Sequence, residues 1–302
     1  MVPIKDCDIE ISGPEGPLQG RLLLPPHWGH DVVLMIPGSG PTNRDGNSPS
    51  RINASTLRLI ADGLSDLGIG SLRIDKRGLF GSAQAVSNPD DVTLQDSASD
   101  VSSWVQELAR DFAGARIWIL GHSEGGLVAL STEPTNPLVK GLILLATPGR
   151  PLGAILREQL AHNPANDFLL NQAFAAIASL EAGQCVSENG MHPALASLLR
   201  PSVQGFLINA LAMSPSARAA QFQKPVLVLQ SGADLQVSGA DAEALAKAAP
   251  QSTLRYFPSL NHVFKKVRGD DTANISSYAN ADLPLGFGIV QAISAFIHAK
   301  DV

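Results

Sequence analysis

Cysteine is scarce: Cys7 and Cys185 are the only two in 302 residues. They lie far apart, with neither metal-ligand nor redox spacing, which excludes a disulfide scaffold and makes a reducing compartment the expected one. Long apolar runs are missing too, and nothing approaches the roughly 20 residues of a membrane-spanning helix. The N-terminal MVPIKDCDIE has no apolar core of the kind a leader peptide needs, so the expectation is a cytoplasmic protein without a membrane partner. No basic cluster offsets the net charge of −6, which argues against nucleic acid as a partner. Neither a metal-ligand cluster nor a phosphate-binding glycine loop occurs, so no metal and no organic cofactor is implied. Repeats and low-complexity tracts are absent as well. What remains, 44% hydrophobic and 17% charged residues, describes an ordinary globular chain with ample core, either one large domain or a domain with an insertion.

The chain alternates strand and helix signals. Asp6–Ser12 and Pro17–Leu24 alternate in polarity across Gly13-Pro14-Glu15-Gly16, which predicts an antiparallel hairpin. Asp31–Ile36 (DVVLMI) is continuously apolar, as a strand buried on both faces must be. It empties into a turn-rich loop over residues 37–48, too long for a simple connection and therefore a candidate functional loop. Helical spacing follows over Asn53–Leu67, a strand at Ser71–Ile74, a second helix over Asp91–Arg110, a strand at Arg116–Leu120 with its helix, and a strand at Gly141–Ala146. This rhythm predicts a parallel sheet with helices on both faces. It breaks at Thr147–Pro151. From there to about residue 222 only helical stretches appear (Leu152–His162, Ala165–Ala182, His192–Leu199 and Val203–Met213), the pattern of an all-helical insertion over the C-terminal edge of the sheet. Val226–Gln230, a helix at Gly239–Ala249, a strand at Thr253–Phe257 and a helix at Leu285–Ala299 complete the fold.

The chemistry gathers at Gly121-His122-Ser123-Glu124-Gly125. This is Gly-x-Ser-x-Gly between a strand and a helix, the context in which a serine is held on a strained turn with its hydroxyl exposed. Serine needs a base, and the base needs an acid to orient it. Such groups belong in loops at the C-terminal ends of strands. Among the histidines, His27 and His30 precede the third strand, His162 and His192 fall in the insertion, and His298 is on the last helix. His122 is the variable position of the turn, its side chain expected to point away from Ser123. That leaves His262, directly after the last strand, as the base. Asp234, just past VLVLQ, is the acid. The loop after Gly141–Ala146 holds no carboxylate, and Asp241 and Glu243 read as solvated charges at a helix start. An oxyanion developing on the substrate needs two backbone donors. One is the N–H of Glu124, and the other comes from the loop after the third strand, with Ser39 or Gly40 as donor, since Pro37 has none. Asp75 and Arg77 read as fixing the loop beneath the site. Arg44 and Asp45 are read equally as substrate contacts or as a loop-bracing pair, and Glu124 as a carboxylate bonded into the loops or the insertion.

The stretches IPGSGPTNRDGN, DKRG, GHSEGG, GAD-x-QV and NHVFK resemble the α/β-hydrolases, and within them esterase-like members related to dienelactone hydrolases and serine aminopeptidases. The resemblance covers the core from Ile36 to Phe264. It implies an α/β fold with a mostly parallel eight-stranded sheet flanked by helices. Residues 1–150 and 223–302 would form the catalytic core, and 151–222 a helical cap between the sixth and seventh strands. It also implies a serine hydrolase acting on a small-molecule carboxylic ester, with Ser123, Asp234 and His262 as its triad. The His-Gly usual in the oxyanion loop is here Pro37-Gly38, which leaves Ser39 and Gly40 both open as donors. The insertion's apolar residues Leu156, Leu160, Phe168, Leu169, Phe174, Leu198, Leu199, Phe206 and Leu207 are the candidate pocket lining. Most of them must form the insertion's own core, and what remains suggests a modest apolar pocket and short to medium acyl chains. An aminopeptidase or amidase, a thioesterase and a C–C bond hydrolase would use the same triad, and a non-catalytic binding module would keep the pocket. A homo-oligomer is left open.

Overall fold

The computed structural model describes residues 5–49 and 52–299. Residues 1–4, which open the stretch read for a leader, lie outside the described residues. The alternating segments Lys5–Ser12 (β1) and Pro17–Leu24 (β2) pair antiparallel in full register, Lys5 opposite Leu24 and Ser12 opposite Pro17. Asp31–Ile36 (β3) is buried throughout, as its unbroken apolar run requires. Thr56–Ser65 (α1), Gly70–Ile74 (β4), Leu94–Asp111 (α2), Arg116–His122 (β5), Glu124–Ser131 (α3) and Val139–Leu145 (β6) follow. Both early helices begin three residues later than the apolar spacing suggests. Ser55 sits in the left-handed region at φ 50°, which stops α1 from extending back to Asn53. Pro89–Asp91 forms a separate 3-10 turn, and Thr93 starts α2 through a reciprocal capping box with Asp96.

Between β6 and β7 the chain forms Leu152–His162 (α4), Leu170–Glu181 (α5), Pro193–Leu198 (α6), Pro201–Leu211 (α7) and Pro215–Ala219 (α8), with no strand among them. The single helix expected over Ala165–Ala182 is instead a 3-10 turn, Pro164–Leu169, capped by Asn163, followed by α5. Val226–Ser231 (β7), Gly239–Ala248 (α9), Ser252–Phe257 (β8), Asp271–Ser276 (α10) and Ile289–His298 (α11) complete the order. The last helix starts four residues later than expected because Gly288, at φ 93°, turns the chain just before it.

The eight strands run in the order β1-β2-β4-β3-β5-β6-β7-β8, and from β4 to β8 every neighbouring pair is parallel. Side-chain alternation sorts the core into two layers. Val32, Leu34 and Ile36 of β3 join Trp104 and Leu108 of α2, Leu127 and Leu130 of α3 and Leu245 of α9. Val33 and Met35 face the other way, onto Leu57, Ile60 and Leu64 of α1 and Ile293 and Ile297 of α11. The helices between β6 and β7 have a small core of their own around Ile177, Leu180, Leu199 and Leu211. Arg150 ties them to the sheet, reaching Glu158 of α4 at 2.6 Å and Asp241 of α9 at 2.9 Å. Asp241 is thus buried, not the solvated helix-start charge its position in the sequence suggests. It caps α9 through Ser238 and receives the N–H groups of Gly149 and Arg150, both at 3.1 Å. Among the described residues no helix is long and apolar enough to cross a membrane.

Candidate active site

Ser123 stands between β5 and α3 at φ 54° and ψ −121°, a region that disfavours side chains and marks stored strain. Two glycines make the turn possible. A Cβ on Gly121 would fall 2.2 Å from Gly125 O, and one on Gly125 would fall 2.4 Å from Ile36 O and 2.7 Å from Pro37 O. The turn is therefore pressed against the end of β3, whose loop passes beside the serine. A Cβ on Gly38 would lie 3.5 Å from Ser123 Cβ. The N–H groups of Ser39, Gly40 and Glu124 all donate to no protein acceptor among the described residues, and Glu124 opens α3, where helix N–H groups stand free.

The loops after β7 and β8 bring Asp234 and His262 together. His262 Nδ1–H donates to Asp234 Oδ2 at 2.8 Å, with the carboxylate only 1% exposed. The other carboxylate oxygen receives the N–H groups of Gln236 and Val237 at 2.8 and 3.0 Å. A carboxylate bonded in this way only accepts, so the neutral imidazole carries its proton on Nδ1 and turns the Nε2 lone pair outward. The His262 loop is pinned by Asn261, which donates to Asn274 Oδ1 at 3.0 Å and Ser277 Oγ at 2.7 Å, while its own Oδ1 accepts from Lys265 N at 3.0 Å. The segment carrying Asn274 and Ser277, with α10, gave no signal in the sequence. Six residues are too few for an apolar period to show.

His122 is not among the cavity-lining residues and packs against His262. Its ring centroid is 5.0 Å from that of His262, and its Nε2 lies 2.9 Å from the His262 carbonyl oxygen. A carbonyl only accepts, so Nε2 carries the proton. Burial, followed by the neighbouring His262 charge, pushes the His122 pKa down to about 4, so the ring is neutral. Among the described residues, Ser123 Oγ makes no hydrogen bond to His262.

A cavity of about 630 Å³ opens over Ser123. Ser39, Gly40, Lys76 and Glu124 form its floor. Leu152, Ile155 and Leu156 of α4, with Val203, Phe206 and Leu207 of α7, supply apolar lining, as does Val237. Of the insertion residues singled out from sequence, Leu156, Leu198, Phe206 and Leu207 line the cavity; Leu169 and Leu199 are buried in the insertion, Leu160 and Phe174 pack against the cluster around Leu169, and Phe168 is largely exposed. The charges around the cavity are paired. Lys76 Nζ lies 3.3 Å from Glu124 Oε1, and Arg200 lies 2.9 Å from Asp90. Arg77 grips Asp100 at 2.6 Å. Outside this cavity, Arg44 holds Asp75 at 2.6 Å, and Asp45 pairs with Arg73. Arg44 and Asp45 therefore each brace the loop through β4 or the turn after it, rather than pairing with one another.

A serine on a strained turn, free amide donors beside it, a His–Asp pair and an apolar cavity together suit acyl transfer. A profile of the family described as serine aminopeptidase, S33, matches residues 53–265, more than two thirds of the chain. Esterase EstD of Thermotoga maritima is 26% identical over 276 residues, covering 89% of this chain and 62% of EstD, so the chain spans less than two thirds of that relative's length. Among solved structures, Est1E from Butyrivibrio proteoclasticus superposes with a TM-score of 0.60 at 16% identity, covering 97% of this chain and 98% of Est1E. The Pyrococcus furiosus esterase Pf2001 gives 0.59 at 14% identity, covering 98% of this chain and 93% of Pf2001. These likenesses establish a shared α/β-hydrolase fold.

Proposed function

The chain belongs to the serine aminopeptidase S33 family of α/β-hydrolases, and on that premise we propose that it is a serine esterase cleaving small carboxylic esters of short to medium acyl chain. In this reading Ser123 Oγ attacks the ester carbonyl while His262 Nε2 takes its proton, and Asp234 steadies the imidazolium. The N–H groups of Glu124 and of Ser39 or Gly40 receive the oxyanion. Collapse expels the alcohol, protonated by His262. Water, deprotonated by the same histidine, then attacks the acyl-enzyme carbonyl and frees Ser123 and the acid. Residues 1–150 and 223–302 act as the catalytic core and 151–222 as a cap roofing the cavity. The two unbridged cysteines fit a reducing, cytoplasmic setting.

The observation that carries the reading is Ser123 on its strained turn, opening into the cavity beside free amide donors with the Asp234–His262 pair on the adjoining loops. Serine–histidine contacts are commonly long in unliganded sites and tighten around substrate. An ester is favoured over an aminopeptidase substrate by the cavity's charges. An α-ammonium group needs a free carboxylate, and the lining carboxylates Glu124 and Asp90 are already held by Lys76 and Arg200. The volume lies within the usual range for a small-molecule site, about 300–1,000 Å³. The test is hydrolysis of p-nitrophenyl esters from acetate to palmitate beside Ser123→Ala. The expected result is turnover centred on the short and medium esters, reduced by about 10⁶-fold in the variant. Turnover that survives Ser123→Ala would refute the assignment.

A further inference from the structure

Lys76 lies in the turn after β4, only 11% exposed at its side chain, and its ammonium group points into the site rather than into water. Nζ donates to Gly38 O at 2.7 Å and reaches Glu124 Oε1 at 3.3 Å. Gly38 O and the Ser39 N–H belong to one peptide unit. In a trans peptide the two point in opposite directions, so whatever holds the oxygen also aims the N–H. Gly38 makes such a hold necessary. Without a Cβ its backbone can rotate at little cost, and a half-turn of this peptide would put a carbonyl oxygen where the donor should stand. The next two carbonyls of the loop are held separately, Ser39 O by Thr42 Oγ1 at 2.7 Å and Gly40 O by Thr42 N–H at 2.8 Å. Thr42 holds its two, and Lys76 holds the peptide that carries the Ser39 N–H.

We infer that Lys76 is a positioning residue for ester hydrolysis, clamping the Gly38–Ser39 peptide so that Ser39 N–H, rather than Gly40 N–H, is the second oxyanion donor. The ammonium also polarises that peptide, which strengthens the N–H as a donor. Glu124 fixes the lysine from the other side while its own backbone N–H supplies the first donor, so one ion pair ties both donors together. The inference rests on the serine-esterase reading above.

The test compares Lys76→Met, which keeps the stem and loses the donor, with the unsubstituted protein on p-nitrophenyl butyrate, alongside binding of butylboronic acid. The boronate forms an anionic tetrahedral adduct on serine and so reads the donors directly. The expected result is a fall in kcat of up to ~10²-fold, the scale of losing one oxyanion donor. Boronate affinity should fall in parallel, while KM stays within about threefold. Lys76→Cys, treated with bromoethylamine to rebuild an amine at that position, should lose activity before alkylation and regain it afterwards. The same treatment of the unsubstituted protein controls for Cys7 and Cys185. An unchanged kcat and boronate affinity, or a raised KM at unchanged kcat, would overturn the inference, as would the absence of rescue. Failure of the esterase reading shows elsewhere: the unsubstituted protein would then neither turn over esters nor bind boronate, and both readings would fall together.

Discussion

His122 ends β5, immediately before Ser123, buried and pressed against His262. Its neutral Nε2–H donates to the His262 carbonyl, and its pKa is held near 4, against the ordinary 6.5, because burial penalises the charged ring. A base with a lowered folded pKa is protonated first in the unfolded chain. Its stabilising contribution is therefore complete above pH 6.5 and is lost as pH falls from 6.5 towards 4, by at most about 3 kcal/mol. Thermal midpoints measured from pH 7 to pH 4 should accordingly fall less steeply for His122→Asn than for the unsubstituted protein. Parallel curves would contradict this account. Ser123, Asp234 and His262 stand out in the sequence because each lies in the loop after a recognisable strand, and the structure brings the last two into contact. The contacts of Lys76 and His122 do not. Lys76 meets Gly38 and Glu124, residues 38 and 48 positions away, and a lysine in a turn looks like any solvated charge. Asp241 misled for the same reason, since its partner Arg150 lies 91 positions earlier.

The β5–turn–α3 unit works only because it touches the β3 loop, and the point of contact is Gly125. Adding one methyl there sets a Cβ 2.4 Å from Ile36 O and 2.7 Å from Pro37 O, backbone atoms that cannot swing aside as a side-chain tip would. Gly125→Ala should thus cost about 1–3 kcal/mol, read as a lowered thermal midpoint. It should reduce ester turnover further than the stability loss alone explains, because the displaced loop carries the Ser39 and Gly40 N–H groups proposed to receive the oxyanion. Native stability together with native turnover would contradict the close approach. At this scale the strands were the most legible elements. β3 falls on Asp31–Ile36 as its apolar run predicts, because strands buried on both faces write themselves as unbroken hydrophobic runs. Helix ends were less so, being decided by single residues such as Ser55, Thr93 and Gly288 whose backbone angles the apolar period does not encode. The short helices α8 and α10 left no periodic trace.

The whole molecule divides its tasks between the sheet and the helices that follow β6. The sheet's C-terminal edge gathers Ser123, the β3 loop, Asp234 and His262, and that placement follows from the parallel topology. The helices contribute apolar lining through α4 and α7. They are anchored by Arg150 to Asp241, by Arg200 to Asp90, and by Asn209, whose Oδ1 accepts the Leu94 N–H at 3.1 Å. That these residues form helices between two strands could be read in advance from the absence of any strand signal over some seventy residues. Which of their side chains face the cavity could not, because the insertion packs its own core from the same leucine-rich pool. The central claim concerns one oxygen atom in this assembly. Its most direct test is intact-protein and peptide mass spectrometry after treatment with a fluorophosphonate. The expected result is a single adduct on Ser123, abolished in Ser123→Ala and strongly slowed in His262→Ala. An unmodified Ser123, or an adduct on another residue that persists in Ser123→Ala, would contradict it.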